Sequence, residues 1–201
     1  MNKGVLVVIS GFSGAGKGTV IRELLKKYQN YALSVSVTTR DPRPGEIDGK
    51  HYFFRTKEEF QELIQKDELV EYAEYVENYY GTPRAYVEEQ LEKGKDVILE
   101  IEIQGAMKVK EKNPEALFIF VTPPSMEELK RRLIGRGTES MEVINSRLLK
   151  AREEAQWMEH YDYLAINDTV EECVECMHQI IQSEHSRMSR NQEFIDKIRK
   201  E

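Results

Sequence analysis

Hydrophobic positions along the chain follow two different periods. Five short runs are continuously apolar: VLVVIS at 5–10, ALSVSV at 32–37, VILEIEI at 97–103, ALFIFV at 116–121 and YLAI at 163–166. Runs of this length that do not alternate with polar residues predict strands buried on both faces, the pattern of a parallel sheet covered by helices. The segments between them supply such helices. Val20, Ile21, Leu24 and Leu25 recur at helical spacing, and Val170, Cys173, Val174, Met177, Ile180 and Ile181 share one face of a later helix. Ser125 and Glu128 stand in capping-box spacing ahead of LKRRL, with helical patterning running on to Trp157. The expected architecture is a three-layer α/β fold around a five-stranded parallel core sheet.

Between 38 and 90 the pattern changes. TTRDPRPGEIDGKHYFF is turn-rich and then alternating, LVEYAEYVENYYGTPR is rich in tyrosine, and Thr56 with Glu59 caps a helix between them. This predicts a small, largely antiparallel insertion of mixed α and β structure. The stretch 126–160, rich in Arg, Glu and Met around GRGTES, reads as a helical flap, and the residues after Ser186 read as a polar tail. Without repeats, low-complexity tracts or Pro- and Gly-rich linkers, the chain is expected to be one domain. Its core would comprise 1–36, 91–125 and 161–185, its insertion about 37–90, its flap about 126–160 and its tail about 186–201.

Composition narrows the function. With 201 residues, 40% of them hydrophobic, the chain can bury a substantial core. Cys173 and Cys176 are too close together to staple it, so a reducing, cytoplasmic setting is expected, and the N-terminal apolar run is too short for a signal or a membrane span. A net charge of −7 argues against broad binding to nucleic acid or to anionic membranes. An anionic ligand would need a local basic cluster.

One stretch promises such a site. GFSGAGKGT, following the first strand and opening the first helix, has the spacing of a phosphate-binding loop: Gly11, four residues, Gly16 and Lys17. Glycines there let backbone N–H groups turn onto phosphate oxygens, and the lysine reaches the outer phosphates. The hydroxyl expected after the lysine is missing at Gly18 and follows at Thr19, which becomes the metal-side candidate. Glu100, at the end of a central strand, is placed to hold the water shell of a magnesium ion. Two groups of arginines supply the cations that phosphoryl transfer needs. Arg40 and Arg43 lie in a proline-punctuated loop, while Arg132, Arg136 and Arg147 lie in the flap, the first two four apart and able to share a helix face.

In SGFSGAGKGT, SVSVTTRDPRPGEIDGKHYFF, LVEYAEYVENYYGTP, ILEIEIQGA, IFVTPPS, LKRRLIGRGTES and IND, taken in order, the chain strongly resembles the guanylate kinases, over roughly residues 4–185. The resemblance implies a nucleoside monophosphate kinase fold in which a GMP-binding insertion and a lid close over two nucleotides. It also implies magnesium-dependent transfer of the ATP γ-phosphate to GMP, with dGMP as a further acceptor. ATP would contact Gly11, Phe12, Ser13, Gly14, Ala15, Gly16, Lys17, Gly18, Thr19 and Asn167. On the GMP side, Arg40, Arg43, Tyr52 and Tyr80 would hold the phosphate, with Ser36, Glu71, Thr82 and Glu102 around the base. The cations serving the reaction would be Lys17, Arg40, Arg132, Arg136 and Arg147. Guanine presents N1–H and a 2-amino group where adenine has no matching donor pair, so a carboxylate such as Glu71 selects it. The chain departs from the family pattern at Phe12 and Gly18, and in carrying Glu100 and Glu102 where Asp is usual.

Two other readings start from the same residues. Guanylate-kinase-like binding modules of scaffold proteins share the fold but typically lack a working phosphate loop, whereas Lys17 and the flap arginines are present here. A kinase of another small phosphate acceptor is disfavoured by Glu71 and the NYYGT segment. The pair Cys173 and Cys176 with His178 resembles metal spacing, but the apolar periodicity makes it helix packing. Trp157 and the tyrosines outside the GMP motif are expected to be packing residues, and His51, His160 and His185 have no assignable partner.

Overall fold

The computed structural model describes residues 3–75, 77–137 and 139–201. In chain order its elements are β1 (Leu6–Gly11), α1 (Lys17–Lys27), β2 (Tyr31–Leu33), β3 (Val37–Thr38), β4 (Phe53–Phe54), α2 (Lys57–Gln65), β5 (Leu69–Tyr75), β6 (Asn78–Pro83), α3 (Arg84–Glu92) and β7 (Asp96–Glu100). They continue with α4 (Ile103–Lys112), β8 (Leu117–Thr122), α5 (Met126–Gly135), α6 (Met141–Glu154), a short 3-10 turn (Ala155–His160), β9 (Tyr163–Ile166), α7 (Val170–Glu184), a second 3-10 turn (Met188–Asn191) and α8 (Gln192–Lys200). The core sheet has the order β2-β7-β1-β8-β9, and every pairing in it is parallel.

Alternate residues of its strands feed two separate cores, which is why their sequence runs are continuously apolar. Val8, Leu99, Phe118 and Phe120 pack with residues of α3, α4, α5 and α6 on one face. Val7, Ile9, Ile98, Ile119 and Val121 pack with Val20, Ile21 and Leu24 of α1 and with Cys173, Val174, Met177 and Ile181 of α7 on the other. Each such fully buried side chain stabilises the fold by about 1.5–3 kcal/mol. Cys173 thus serves as a core residue, and burial pushes its thiol up to about 12.

Several boundaries differ from the sequence expectation. The 32–37 run is two strands: β2 joins the core sheet, and β3 belongs to a second sheet of order β4-β3-β6-β5. That sheet is mixed, because β3 pairs with β4 in parallel and with β6 antiparallel. β7 stops at Glu100, and Ile103 opens α4. At one edge of the sheet, β9 has Tyr163, Leu164 and Ile166 exposed, with only Ala165 buried, so its apolar run does not mark a doubly covered strand.

The two cap signals also differ in outcome. Thr56 and Glu59 close a complete capping box, whereas Ser125 accepts from Glu128 N without reciprocation, because the Glu128 carboxylate is taken by Arg131 and Arg132. Those guanidinium groups hold Glu128 down at about 2. The helical pattern expected to reach Trp157 ends at Glu154, and Trp157 lies exposed against His160 rather than in the core. The expected polar tail is structured: Glu184, itself buried, pairs with Arg187 and Arg190, and α8 follows with Phe194 and Ile198 exposed.

A buried carboxylate ties the start of the sheet to α7. Asp96 is 1% exposed and accepts from Val5 N at 2.9 Å and Asn30 Nδ2 at 3.2 Å, with His185 Nε2 at 2.8 Å. His185 and His178, which hydrogen-bonds the Tyr31 hydroxyl and stacks on Tyr28, both have partners the sequence did not reveal. Asp96→Ala leaves a buried backbone donor without an acceptor, so it should destabilise the fold by about 1–3 kcal/mol. Urea denaturation monitored by circular dichroism measures this, with an unchanged midpoint as the contrary outcome.

Candidate functional site

The phosphate-loop segment joins β1 to α1 as its spacing demands. Gly16 is the N-cap of α1 in the left-handed region, φ 91°, and no side chain caps the helix or places an acid in its first turn. The helix therefore presents its partial positive end without a built-in anion. Gly16 is also required sterically: a Cβ there would come 2.5 Å from Asn167 Nδ2. That amide donates to Ala15 O at 2.7 Å, while Asn167 N donates to Thr122 O at 2.7 Å, so the buried Asn167 fastens the loop to the ends of β8 and β9. Asn167, which the resemblance puts near the adenine, is held against the loop by its own amide. Its isolated position, some 150 residues away in sequence, carried no signal of this.

Lys17 folds its ammonium back onto the Gly11 carbonyl, with Phe12 O at 3.4 Å. A Cβ at Gly18 would lie 3.6 Å from Glu100 Oε1 and 3.9 Å from Arg22 Nη1. The direction that faces the acidic strand end is thus that of position 18. The Thr19 hydroxyl accepts instead from Arg22 Nη2 at 3.1 Å. The walls around Glu100 raise its pKa by desolvation, Lys17 opposes that, and Glu102 adds to it.

Each flap arginine that reaches the loop is already engaged. Arg132 donates to Asn167 O at 2.8 Å and to Glu128 at 2.7 Å, with Ala15 O at 3.4 Å. Arg147 bonds the Ser13 hydroxyl and Glu139. Arg136 is the exposed C-cap of α5 with αR backbone, four residues after Arg132 and so on the same side at the helix end. Two turns beyond Arg147 on α6, Glu154 is raised by burial and by Glu102 and lowered by Lys150 and Lys17. This acid beside the loop lysine was not singled out in the sequence, although its spacing of seven from Arg147 places both on one face of the helix.

The second sheet gathers most of the other expected residues. Arg40 Nη2 donates to both carboxylate oxygens of Glu46, each at 2.9 Å, and the guanidinium lies 5.4 Å from the Tyr52 ring centre. Tyr52 and Tyr80 meet edge to face at 6.1 Å. Arg43 is exposed and meets Glu46 through its backbone, its N–H donating to the carboxylate at 2.7 Å and its carbonyl accepting from Glu46 N at 3.0 Å. Glu46 orders this loop, and sequence reasoning missed it because nothing distinguishes it from any other acid in a turn.

On β5 and β6, Thr82 donates to Glu71 Oε1 at 2.7 Å, and both residues are buried. Desolvation raises the Glu71 pKa, and Lys108 and Lys112 of α4 partly offset it. Glu102, the N-cap of α4, uses no side-chain cap bond and is exposed. Ser36 is half-buried and accepts from Phe53 N through its carbonyl. The loop and the Glu71 pocket are joined by the turn from β7 to α4: Glu100 faces position 18, and Gly105 in the first turn of α4 lies under Glu71. Asn167→Ala removes the loop's clamp, so it should weaken binding of a nonhydrolysable ATP analogue by about fivefold, the worth of one hydrogen bond. Isothermal titration calorimetry checks this, and unchanged affinity would deny the clamp a part in nucleotide binding.

Comparison with known proteins gives a consistent answer. The guanylate kinase family model matches residues 3–184. The chain is 56% identical to the guanylate kinase of Lactococcus lactis over 188 residues, covering 94% of this chain and 92% of that one. It is 52% identical to the guanylate kinase of Caldanaerobacter subterraneus over 199 residues, covering 99% and 97%. Among solved structures, the guanylate kinase of Anaplasma phagocytophilum superposes with a TM-score of 0.76 at 38% identity, covering 94% of this chain and 90% of that one.

Proposed function

The chain belongs to the guanylate kinase family, and from that premise we propose how its residues carry out transfer of the γ-phosphate of ATP to GMP. The observation that carries the reading is the β7–α4 turn. It touches the phosphate loop at Glu100 and the buried carboxylate Glu71 at Gly105, within five residues, so one rigid connection fixes a donor site and a base site relative to each other.

The backbone N–H groups at the start of α1 bind the β- and γ-phosphates of ATP, and Lys17 leaves the Gly11 carbonyl to reach them. Arg40, Arg43, Tyr52 and Tyr80 hold the GMP phosphate, with Ser36 and Glu102 beside the base. Phosphoryl transfer asks little covalent chemistry of the protein, so the arginines act by placing positive charge around the moving group. Arg132, Arg136 and Arg147 take that part as the α5–α6 segment closes over the cleft, excluding water that would hydrolyse ATP.

The family requires a divalent metal, which we assign as magnesium. Among the described residues there is no group of three or more His, Cys, Asp or Glu able to hold a metal ion. The donors fit a cation that arrives with the nucleotide, its water shell held by Glu100 in the room left by Gly18. When bound, it neutralises charge on the phosphates. The Thr19 hydroxyl, which accepts from Arg22, keeps a second lone pair and stands as a further candidate on the metal side.

Glu71 selects the base. Buried and hydrogen-bonded by Thr82, it has an acceptor oxygen left for guanine N1–H or the 2-amino group, where adenine would leave it unpaired. Among GMP, dGMP, AMP, CMP and UMP offered with ATP and magnesium, GMP should be the best acceptor, dGMP a further one, and AMP poorer by about 10⁴-fold or more. A preference for any other acceptor would overturn the base-site assignment.

The pH dependence follows from the sign of the Glu71 shift. Its folded pKa lies above the ordinary carboxylate value, so KM for GMP should rise as pH falls through that raised pKa and protonation removes the acceptor charge. For the same reason the ionised carboxyl detracts from stability at neutral pH, because the folded state favours its protonated form. Glu71→Gln should therefore keep or raise the melting temperature while weakening GMP recognition and flattening the acid limb of the KM profile. Steady-state kinetics at several pH values read both effects.

A further inference from the structure

We infer that Gly105, in the first turn of α4, is a specificity-determining position that sets where the Glu71 carboxylate stands. The inference rests on the reading of Glu71 as the guanine acceptor and adds a residue to it. A Cβ at Gly105 would lie 2.8 Å from Glu71 Oε2, closer than nonbonded atoms approach, with Glu71 Cδ at 3.5 Å and Ile101 Cδ1 at 3.6 Å in ordinary contact. The helix backbone needs no glycine there, because Gly105 is not among the positive-φ residues. Glycine in a helix is ordinarily unfavourable compared with alanine. Its presence is explained by the space above it, which the carboxylate fills.

The geometry assigns the two oxygens different tasks. Oε1 is fixed by the Thr82 hydroxyl at 2.7 Å, and Oε2 is the one that rests over Gly105. The Thr82 hydroxyl holds one side and the α4 backbone sets the floor, so Oε2 keeps its place unless the end of the side chain rotates. Without a side chain at position 105, the carboxylate rests directly against the first turn of α4. Gly105 is thus a positioning residue: it touches Glu71, and it acts on the base through Glu71.

An added methyl displaces the far end of a flexible side chain, with no backbone atom within 4 Å among the nearest three. Gly105→Ala should therefore fold normally, with a melting temperature equal to or above that of the parent. Its KM for GMP should rise by about 10- to 100-fold, the cost of a misplaced hydrogen bond to a charged group, while KM for ATP stays within about twofold.

Glu71→Asp, one methylene shorter, weakens GMP recognition in the parent. In the Gly105→Ala background the shorter carboxylate avoids the methyl, so the combined loss should be clearly less than the product of the single losses. Additive losses, or an unchanged KM for GMP in Gly105→Ala, would overturn the inference. So would an unfolded Gly105→Ala, since the methyl would then be displacing more than the carboxylate. Glu71→Gln separates the two levels: if it leaves the preference for GMP over AMP intact, the reading of Glu71 itself fails. If it destroys that preference while Gly105→Ala changes nothing, only the role of Gly105 fails.

Discussion

The carbonyl of Ala15 is the point on which the candidate site turns. A carbonyl oxygen has two lone pairs, and here it faces Asn167 Nδ2 at 2.7 Å and Arg132 Nη1 at 3.4 Å, both outside the loop. Because the peptide is planar and trans, holding this oxygen outward aims the N–H of Gly16 the opposite way. An inward carbonyl would repel a phosphate, so the clamp decides whether the loop offers donors or an acceptor. The elements that supply it are α5, through Arg132, and the end of β9, through Asn167. The parallel order β1-β8-β9 brings that end beside the loop. Even the left-handed Gly16 follows from this packing, since any side chain there would strike the clamping amide.

The same economy governs the arginines. Arg40 rests on Glu46, Arg132 on Glu128 and Arg147 on Glu139, so the positive charge that a transferred phosphate needs is held in pairs with carboxylates. Arg40 and Glu46 are both largely shielded, at 15% and 19% side-chain exposure, and both carboxylate oxygens accept from the one nitrogen Nη2. A phosphate that takes over one of these guanidinium groups exchanges one charge-assisted bond for another, and the freed carboxylate returns to water. The net gain is small for each arginine. Affinity then depends on several exchanges occurring together, which suits a site that is to form fully only when both nucleotides are present.

Much of the fold was legible because the core sheet obeys a simple rule. Alternate residues of β1, β7 and β8 enter two different cores, and only continuous apolar runs satisfy both. Where that rule lapses, the reading from sequence lapsed with it. β9 is an apolar edge strand of which only Ala165 is buried, while the other edge, β2, is largely covered, so the apolar pattern alone does not tell the two edges apart. The run 32–37 is divided between two sheets because the chain turns after Leu33, a change of partner that alters no residue type. The phosphate loop and the arginines were visible as motifs, since their chemistry demands particular residue types at fixed spacings. Glu46, Glu154 and the clamp at Asn167 were not, because each acts by contact with something distant or by ordinary charge, and neither leaves a spacing to read.

Gly18 carries this argument to its last step. Against the usual pattern of a phosphate loop it is a missing hydroxyl, and Thr19 stood in sequence as the replacement. The side-chain direction that faces Glu100 belongs to position 18, while Thr19 meets Arg22. Moving a hydroxyl by one residue on a helix turns it through about 100°, following from 3.6 residues per turn, so Thr19 cannot simply take over the place left by Gly18. Glu100 is longer by one methylene than the aspartate usual in the family, and it reaches toward the space that a serine would occupy. The two departures are therefore complementary: a longer acid on one wall matches a missing side chain on the other. Read singly, each looked like a weakened motif. Read together across the cleft, the longer acid faces the position without a side chain, and a Cβ there would stand 3.6 Å from its carboxylate.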